Sequence, residues 1–128
     1  MSLENGGRKM IDHLDIHVQD LSRAKNFYTA VLASLGGHLI DESNSGLTYQ
    51  TGENADGYIW FEIGEPYPFH FAFQAKTNSE VDEFYKKALE NGGRDNGAPG
   101  YRQDNYYAAF IIDLEGYRIE AVCHTGKE

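Results

Sequence analysis

The chain has 128 residues, 41% of them hydrophobic, with 14 glycines, a composition that fits one globular domain with a core of its own. Twenty acidic residues against eleven basic ones leave a net charge of −9, a sign that repels nucleic-acid phosphates and anionic lipid headgroups. No apolar run approaches the roughly 20 residues that a bilayer span needs, and Cys123, the only cysteine, excludes an intrachain disulfide and a cysteine zinc cage, so a reducing cytoplasm is expected.

Residues 1–9 (MSLENGGRK) show no periodicity and read as an expression leader, leaving a single domain over 10–128. Over 11–18, Leu14, Ile16 and Val18 alternate with His13, Asp15 and His17, the period of a half-buried strand. Asp20 is placed to cap a helix whose apolar positions Leu21, Ala24, Phe27, Tyr28, Val31, Leu32 and Leu35 keep helical spacing until Gly36 stops it. Shorter strands are predicted at 37–40, 46–50 and 57–63. The plan then starts again: Phe71 and Phe73 alternate with His70, Ala72 and Gln74, and Thr77-Asn78-Ser79-Glu80 forms a capping box. Val81, Phe84, Tyr85, Ala88 and Leu89 make a helix stripe ended by Gly92. Residues 91–103, rich in glycine and polar side chains, read as a loop with room for one short strand, and strands over 106–113 and 117–124 close the chain.

The second half copies the first. Phe27-Tyr28 recurs as Phe84-Tyr85 at an offset of 57, and Gly36-Gly37 recurs as Gly92-Gly93 at an offset of 56. Two modules follow, about 10–64 and about 66–128, each running strand, helix, then strands. The class is α+β, with helices over one face of antiparallel-type sheets and the other face left for a ligand.

The polar groups on that second face carry the chemistry. His13 and His70 are 57 apart, and Glu62 and Glu120, on the closing strands, are 58 apart. Strand parity turns all four away from the helices. A lone strand histidine is commonly a hydrogen-bonded structural residue, but matched residue types at a matched offset argue for metal ligands. Two imidazoles and two carboxylates suit nickel, zinc, manganese or iron(II), and a glutamate in such a set can also move a proton. His17, Tyr58 and Trp60 share the ligands' parity and are candidate walls of a substrate cleft. Asp15 is placed to orient a ligand histidine. Tyr101 and Arg102 follow the turn at 97–100, on a loop suited to closing over the cleft and binding an anionic group, with an exposed salt bridge as the more ordinary use of Arg102. No nucleophile elbow, Walker sequence or dinucleotide fingerprint is present.

Three stretches, Ile11-Asp12-His13-Leu14 with Asp20-Leu21 and Phe27-Tyr28, His70-Phe71-Ala72-Phe73, and Asp113-Leu114-Glu115-Gly116-Tyr117-Arg118-Ile119-Glu120, resemble the vicinal oxygen chelate superfamily. It includes glyoxalase I, extradiol dioxygenases, fosfomycin-modifying thiol transferases and bleomycin-resistance proteins. The resemblance implies two tandem βαβββ modules forming a cupped mixed sheet, with helices on the outer face. It implies a divalent metal ion held by His13, His70 and Glu120, joined by Glu62 in glyoxalase I-like members, with Glu120 and Glu62 as the catalytic acids. The chain departs from glutathione-using members at His17, where they often carry arginine, and from fosfomycin enzymes at Asp15, where they usually carry threonine. The function expected is a metal-dependent, glyoxalase I-like lyase or isomerase (lactoylglutathione lyase-like) on a small substrate with vicinal oxygens, in a homodimer. The alternatives are an iron(II) extradiol-type dioxygenase and a metal-free small-molecule binder of the bleomycin-resistance type.

Overall fold

The computed structural model describes residues 10–52 and 57–124, so the expected leader at residues 1–9 lies outside the described residues. Each half builds one sheet and one helix. The first comprises β1 (His13–Val18), α1 (Leu21–Ala33), β2 (His38–Glu42), β3 (Gly46–Thr51) and β4 (Gly57–Ile63). The second comprises β5 (His70–Gln74), α2 (Asn78–Glu90), β6 (Arg94–Asp95), β7 (Gly100–Gln103), β8 (Tyr106–Ile112) and β9 (Arg118–Cys123).

The helices start and stop where the local chemistry dictates. Asp20 accepts from the Arg23 amide at 3.0 Å, and Thr77 Oγ1 accepts from the Glu80 amide at 3.1 Å, each satisfying a donor left open in a first turn. Glu80 reaches back to the Lys76 amide at 2.8 Å, one residue before the cap. Both helices end on glycines with positive φ, Gly36 at 86° and Gly92 at 100°. There the next amide closes back on the helix, Gly37 to the Leu32 carbonyl and Gly93 to the Ala88 carbonyl, both at 2.8 Å.

The first sheet has the order β1-β4-β3-β2 and the second β5-β9-β8-β6, with β7 also paired to β8. Both are mixed. The opening strand of each module lies parallel to its closing strand, β1 to β4 and β5 to β9, while the other pairs are antiparallel. Mixed sheets are what the family resemblance implies, whereas the strand periodicity alone, read as antiparallel-type sheets, misses one pair in each, because the helix carries the chain across before the strands fold back. Residues 91–103 hold two short strands where one was expected.

One core runs through both modules. Phe27, Tyr28, Val31 and Leu32 of α1 and Val81, Phe84 and Ala88 of α2 pack with Ile16, Val18, Ile59 and Phe61 of the first sheet. Ile111, Ile119, Ala121 and Cys123, the last 2% exposed, enter it from the second. These are the helix-facing positions, so His13, Asp15, His17, Tyr58, Trp60 and Glu62 on one sheet, and His70, Tyr106, Phe110, Arg118 and Glu120 on the other, lie on the faces turned away from the helices.

The turn from β8 to β9 joins the modules. Glu115 accepts from the backbone amides of Gln19, at 2.8 Å to each oxygen, and of Asp20. Tyr117 donates its hydroxyl to the His17 carbonyl at 2.7 Å. Asp113 is buried and accepts from the Tyr28 hydroxyl. Burial raises the Asp113 carboxyl above its ordinary value, and burial with the adjacent carboxylate keeps Tyr28 protonated well above its own. Between the outer edges of β1 and β5 a groove of about 710 Å³ remains, its apolar lining including Leu14, Ile59, Phe71 and Phe73.

Candidate active site

Parallel pairing of β5 with β9 sets His70 directly beside Arg118 and two residues short of Glu120 on the same face. His70 Nε2 lies 3.0 Å from Glu120 Oε1. The other oxygen, Oε2, accepts from the Tyr106 hydroxyl at 2.5 Å. Glu120 is 3% exposed, while the His70 side chain is 46% exposed. The buried carboxylate is thus fixed by two partners, one of which opens to solvent. Its bond raises the Tyr106 phenol above the ordinary tyrosine value, so Tyr106 stays a donor. The His70 ring stacks on Phe110, centroids 6.2 Å apart, and Phe110 is the register partner of Glu120.

The first module has a different arrangement. His13 pairs with Tyr58, and its side chain, 59% exposed, turns Nδ1 to Asp12 Oδ1 at 2.9 Å. That hydrogen bond raises the His13 pKa above the ordinary 6.5. Tyr58 corresponds to Arg118 by register, so the position matching Glu120 is occupied by Trp60. The opening strands are offset by 57 residues but the closing strands by 60, and the offset of 58 between Glu62 and Glu120 is not the structural one. Glu62 keeps the parity expected of it but lies opposite His17, with His17 Nε2 and Glu62 Oε2 3.6 Å apart. Four residues along a strand is roughly 13 Å, which separates Glu62 from the row of His13. Trp60, 39% exposed, lies over Gly46, where an added Cβ would fall 2.3 Å from the indole nitrogen.

His70 and Glu120 therefore stand together, Glu62 stands with His17, and His13 stands with Asp12. Among the described residues no three histidine, cysteine, aspartate or glutamate side chains are grouped to hold one ion. A nitrogen and an oxygen 3.0 Å apart nevertheless match adjacent ligands of one ion at about 2.1 Å from each, so the pair fits half of a metal site.

Of the tyrosines after residue 100, Tyr106 is the one hydrogen-bonded to this pair among the described residues. Tyr101 accepts from Asn78 at 2.9 Å and Tyr107 donates to Asp82 at 2.6 Å, both on the helix side. The Asp82 carboxylate pushes Tyr107 up to about 12. Arg102 holds its guanidinium 5.2 Å from the Phe110 ring centroid. Phe110, Arg94 and Arg118 were not anticipated as site residues. The signal for two of them was the β8–β9 turn, whose length pairs Phe110 with Glu120 and Ile112 with Arg118.

The Glyoxalase/Bleomycin resistance protein/Dioxygenase superfamily model matches residues 10–121. A glyoxalase/bleomycin resistance protein from Albidiferax ferrireducens T118 superposes with a TM-score of 0.78 at 26% identity, over 89% of this chain and 98% of that one. The lactoylglutathione lyase of Agrobacterium tumefaciens (TM-score 0.67, 18% identity, 88% and 91% covered) has the same fold. So does the fosfomycin resistance protein FosX of Mesorhizobium loti (0.68, 18%, 90% and 92%). No curated protein sequence matches the chain.

Proposed function

Because the chain belongs to the Glyoxalase/Bleomycin resistance protein/Dioxygenase superfamily, we propose that it is a metal-dependent lyase or isomerase of the glyoxalase I kind. Its substrate is a small molecule with two adjacent oxygens, and its setting is the cytoplasm. His70 and Glu120 supply one half of the ligand set. His13 supplies the other from the first module of a second copy, so the working unit is a homodimer.

The observation that carries this reading is the Glu120 carboxylate. A buried charge is expensive, and an apolar residue of similar size is often the more stable choice. Here the charge is kept, held at Oε1 by an imidazole and at Oε2 by a phenol, an arrangement that serves chemistry better than packing. A divalent ion, when bound, acts as a Lewis acid that makes the C–H bond beside the substrate oxygens acidic. Glu120 Oε2 would take that proton from one carbon and return it to the adjacent one, and Tyr106 Oη, bonded to the same oxygen, would keep the carboxylate aimed as the charge moves. Tyr58 and Trp60 form a wall for the substrate body. The His17–Glu62 pair, too far from the row of His13 to share its ion, meets the distal end of the substrate.

The test begins with tag-free protein. Wild type is expected to retain about one zinc or nickel ion per chain and to isomerise a hemithioacetal. His70→Ala and Glu120→Gln lose both, with unchanged circular dichroism. Wild-type protein that takes up no ion overturns the reading and leaves a metal-free binder.

A further inference from the structure

Three of the chain's five arginines gather on the face of the second sheet that carries His70 and Glu120. One row across that sheet reads Arg94, Ile112, Arg118, His70 in register, and the next reads Phe110, Glu120, Ala72. The third, Arg102, lies over Phe110. Directly opposed residues on neighbouring strands share a face, and two strand spacings put Arg94 and Arg118 roughly 10 Å apart at the backbone, with Ile112 between them. Both guanidinium groups can converge above that side chain.

None of the three is neutralised. Among the described residues the side chains of Arg94 and Arg118 make no hydrogen bond or ion pair, and only their backbones are engaged, in the sheet. Among the described residues the hydrogen-bond partners of the Arg102 guanidinium are backbone carbonyls, Nη1 to Gly100 and Nη2 to Ala98, both at 2.8 Å, which hold it in place without a carboxylate to offset its charge. In a chain of net charge −9, carboxylates are plentiful. Lys25, Lys87 and Arg23 each pair with one. The Glu120 carboxylate on the same face is buried and taken up by His70 and Tyr106, so three arginines without a carboxylate partner, over the half-buried Phe110 and Ile112, outnumber it and make a local positive field above an apolar floor.

We infer that this face binds a small organic anion, its carboxylate group held by Arg94, Arg118 and Arg102 and its apolar body resting on Phe110 and Ile112. The placement of its reacting oxygens at His70 and Glu120 rests on the function proposed above. The anionic group is what sets such a substrate apart from neutral molecules of the same shape. A guanidinium–carboxylate contact rejects the uncharged analogue, because the analogue leaves the desolvated arginine without its partner.

The experiment uses benzoate and its neutral isostere benzamide, titrated into metal-free full-length protein and followed by calorimetry and amide NMR shifts. Benzoate is expected to bind at least about tenfold more tightly than benzamide, the effect of one charge-assisted contact. Arg94→Gln and Arg118→Gln should each weaken benzoate roughly threefold or more, and Lys86→Gln, on the exposed side of α2, should not. Equal binding of the two probes, no saturable benzoate binding, or arginine variants that bind like wild type overturn the inference. Metal uptake is measured on the same preparations. Charge-selective binding without metal uptake removes the metal reading and keeps the anion site, whereas metal uptake without charge selectivity removes only the anion site.

Discussion

Tyr106 donates its hydroxyl to Glu120 Oε2 at 2.5 Å, leaving Oε1 turned to His70. Tyr106→Phe removes that donor with little change in volume, and partners that orient metal ligands typically contribute ten- to a hundredfold in affinity. We therefore expect zinc affinity, measured against a chelator dye, to fall by about tenfold or more in Tyr106→Phe. Tyr107→Phe, whose hydroxyl serves Asp82 on the helix side, should keep wild-type affinity. His13 gives a second prediction at this scale. Its bond to Asp12 favours the protonated ring and raises its pKa, so a proton competes with any metal at higher pH than it would at an ordinary histidine. Asp12→Asn should move the His13 titration, followed by NMR of the ring protons, down toward 6.5. It should also extend metal binding to more acid solution. That His70 and Glu120 share a face was legible from strand parity, whereas the 58-residue offset that ties Glu120 to Glu62 has no structural counterpart. Telling Tyr106 from Tyr101 and Tyr107 as the partner of Glu120 requires the register of β8 on β9, which no local signal carries.

Helices and their ends were legible because their signals are local: Asp20 and Thr77 as caps, Gly36 and Gly92 as stops. Strand partners were less so. The two short strands β6 and β7 sit in a stretch of glycine and polar residues, where backbone pairing to β8 needs no alternation of side chains. Glu62 was matched to Glu120 by counting residues. The closing strands are instead aligned by hydrogen bonding to the opening strands, which places Trp60 at the matching position. The junction of α1 with the β8–β9 turn yields a pH prediction. Asp113, buried and bonded to Tyr28 and to the amides of Glu115 and Tyr117, has a folded pKa above its ordinary 3.8. The folded state then holds more protons than the unfolded chain across that interval. Stability from this group is fully present below 3.8 and declines as pH rises through the folded value. Asp113→Asn should flatten that part of the curve, measured as urea midpoints between about pH 3 and 7.

Seen whole, the molecule divides its candidate ligands between two sheets whose opening strands, β1 and β5, are both edges. A site made from the first module of one copy and the second module of another has a stringent consequence. His13→Ala and Glu120→Gln protein, each without metal uptake alone, should recover it when mixed and allowed to exchange subunits. Random pairing rebuilds one intact site in each mixed dimer, so about a quarter of the wild-type capacity should return. No recovery after verified exchange would show that the sites do not form between copies. The junction made by Glu115, Asp113 and Tyr117 ties the two modules of one chain together at one corner, so whatever exchanges between copies is the chain as a unit. The lone thiol extends this to the time domain. Cys123 points into the core from β9, three residues beyond Glu120 on the same strand. Iodoacetamide can reach it only when that strand lifts away, which makes the alkylation rate a clock for local opening. Whatever ion or anion settles on the far side of the strand will slow the clock in proportion to its occupancy, so the affinity of a silent ligand can be timed without turning over a single substrate.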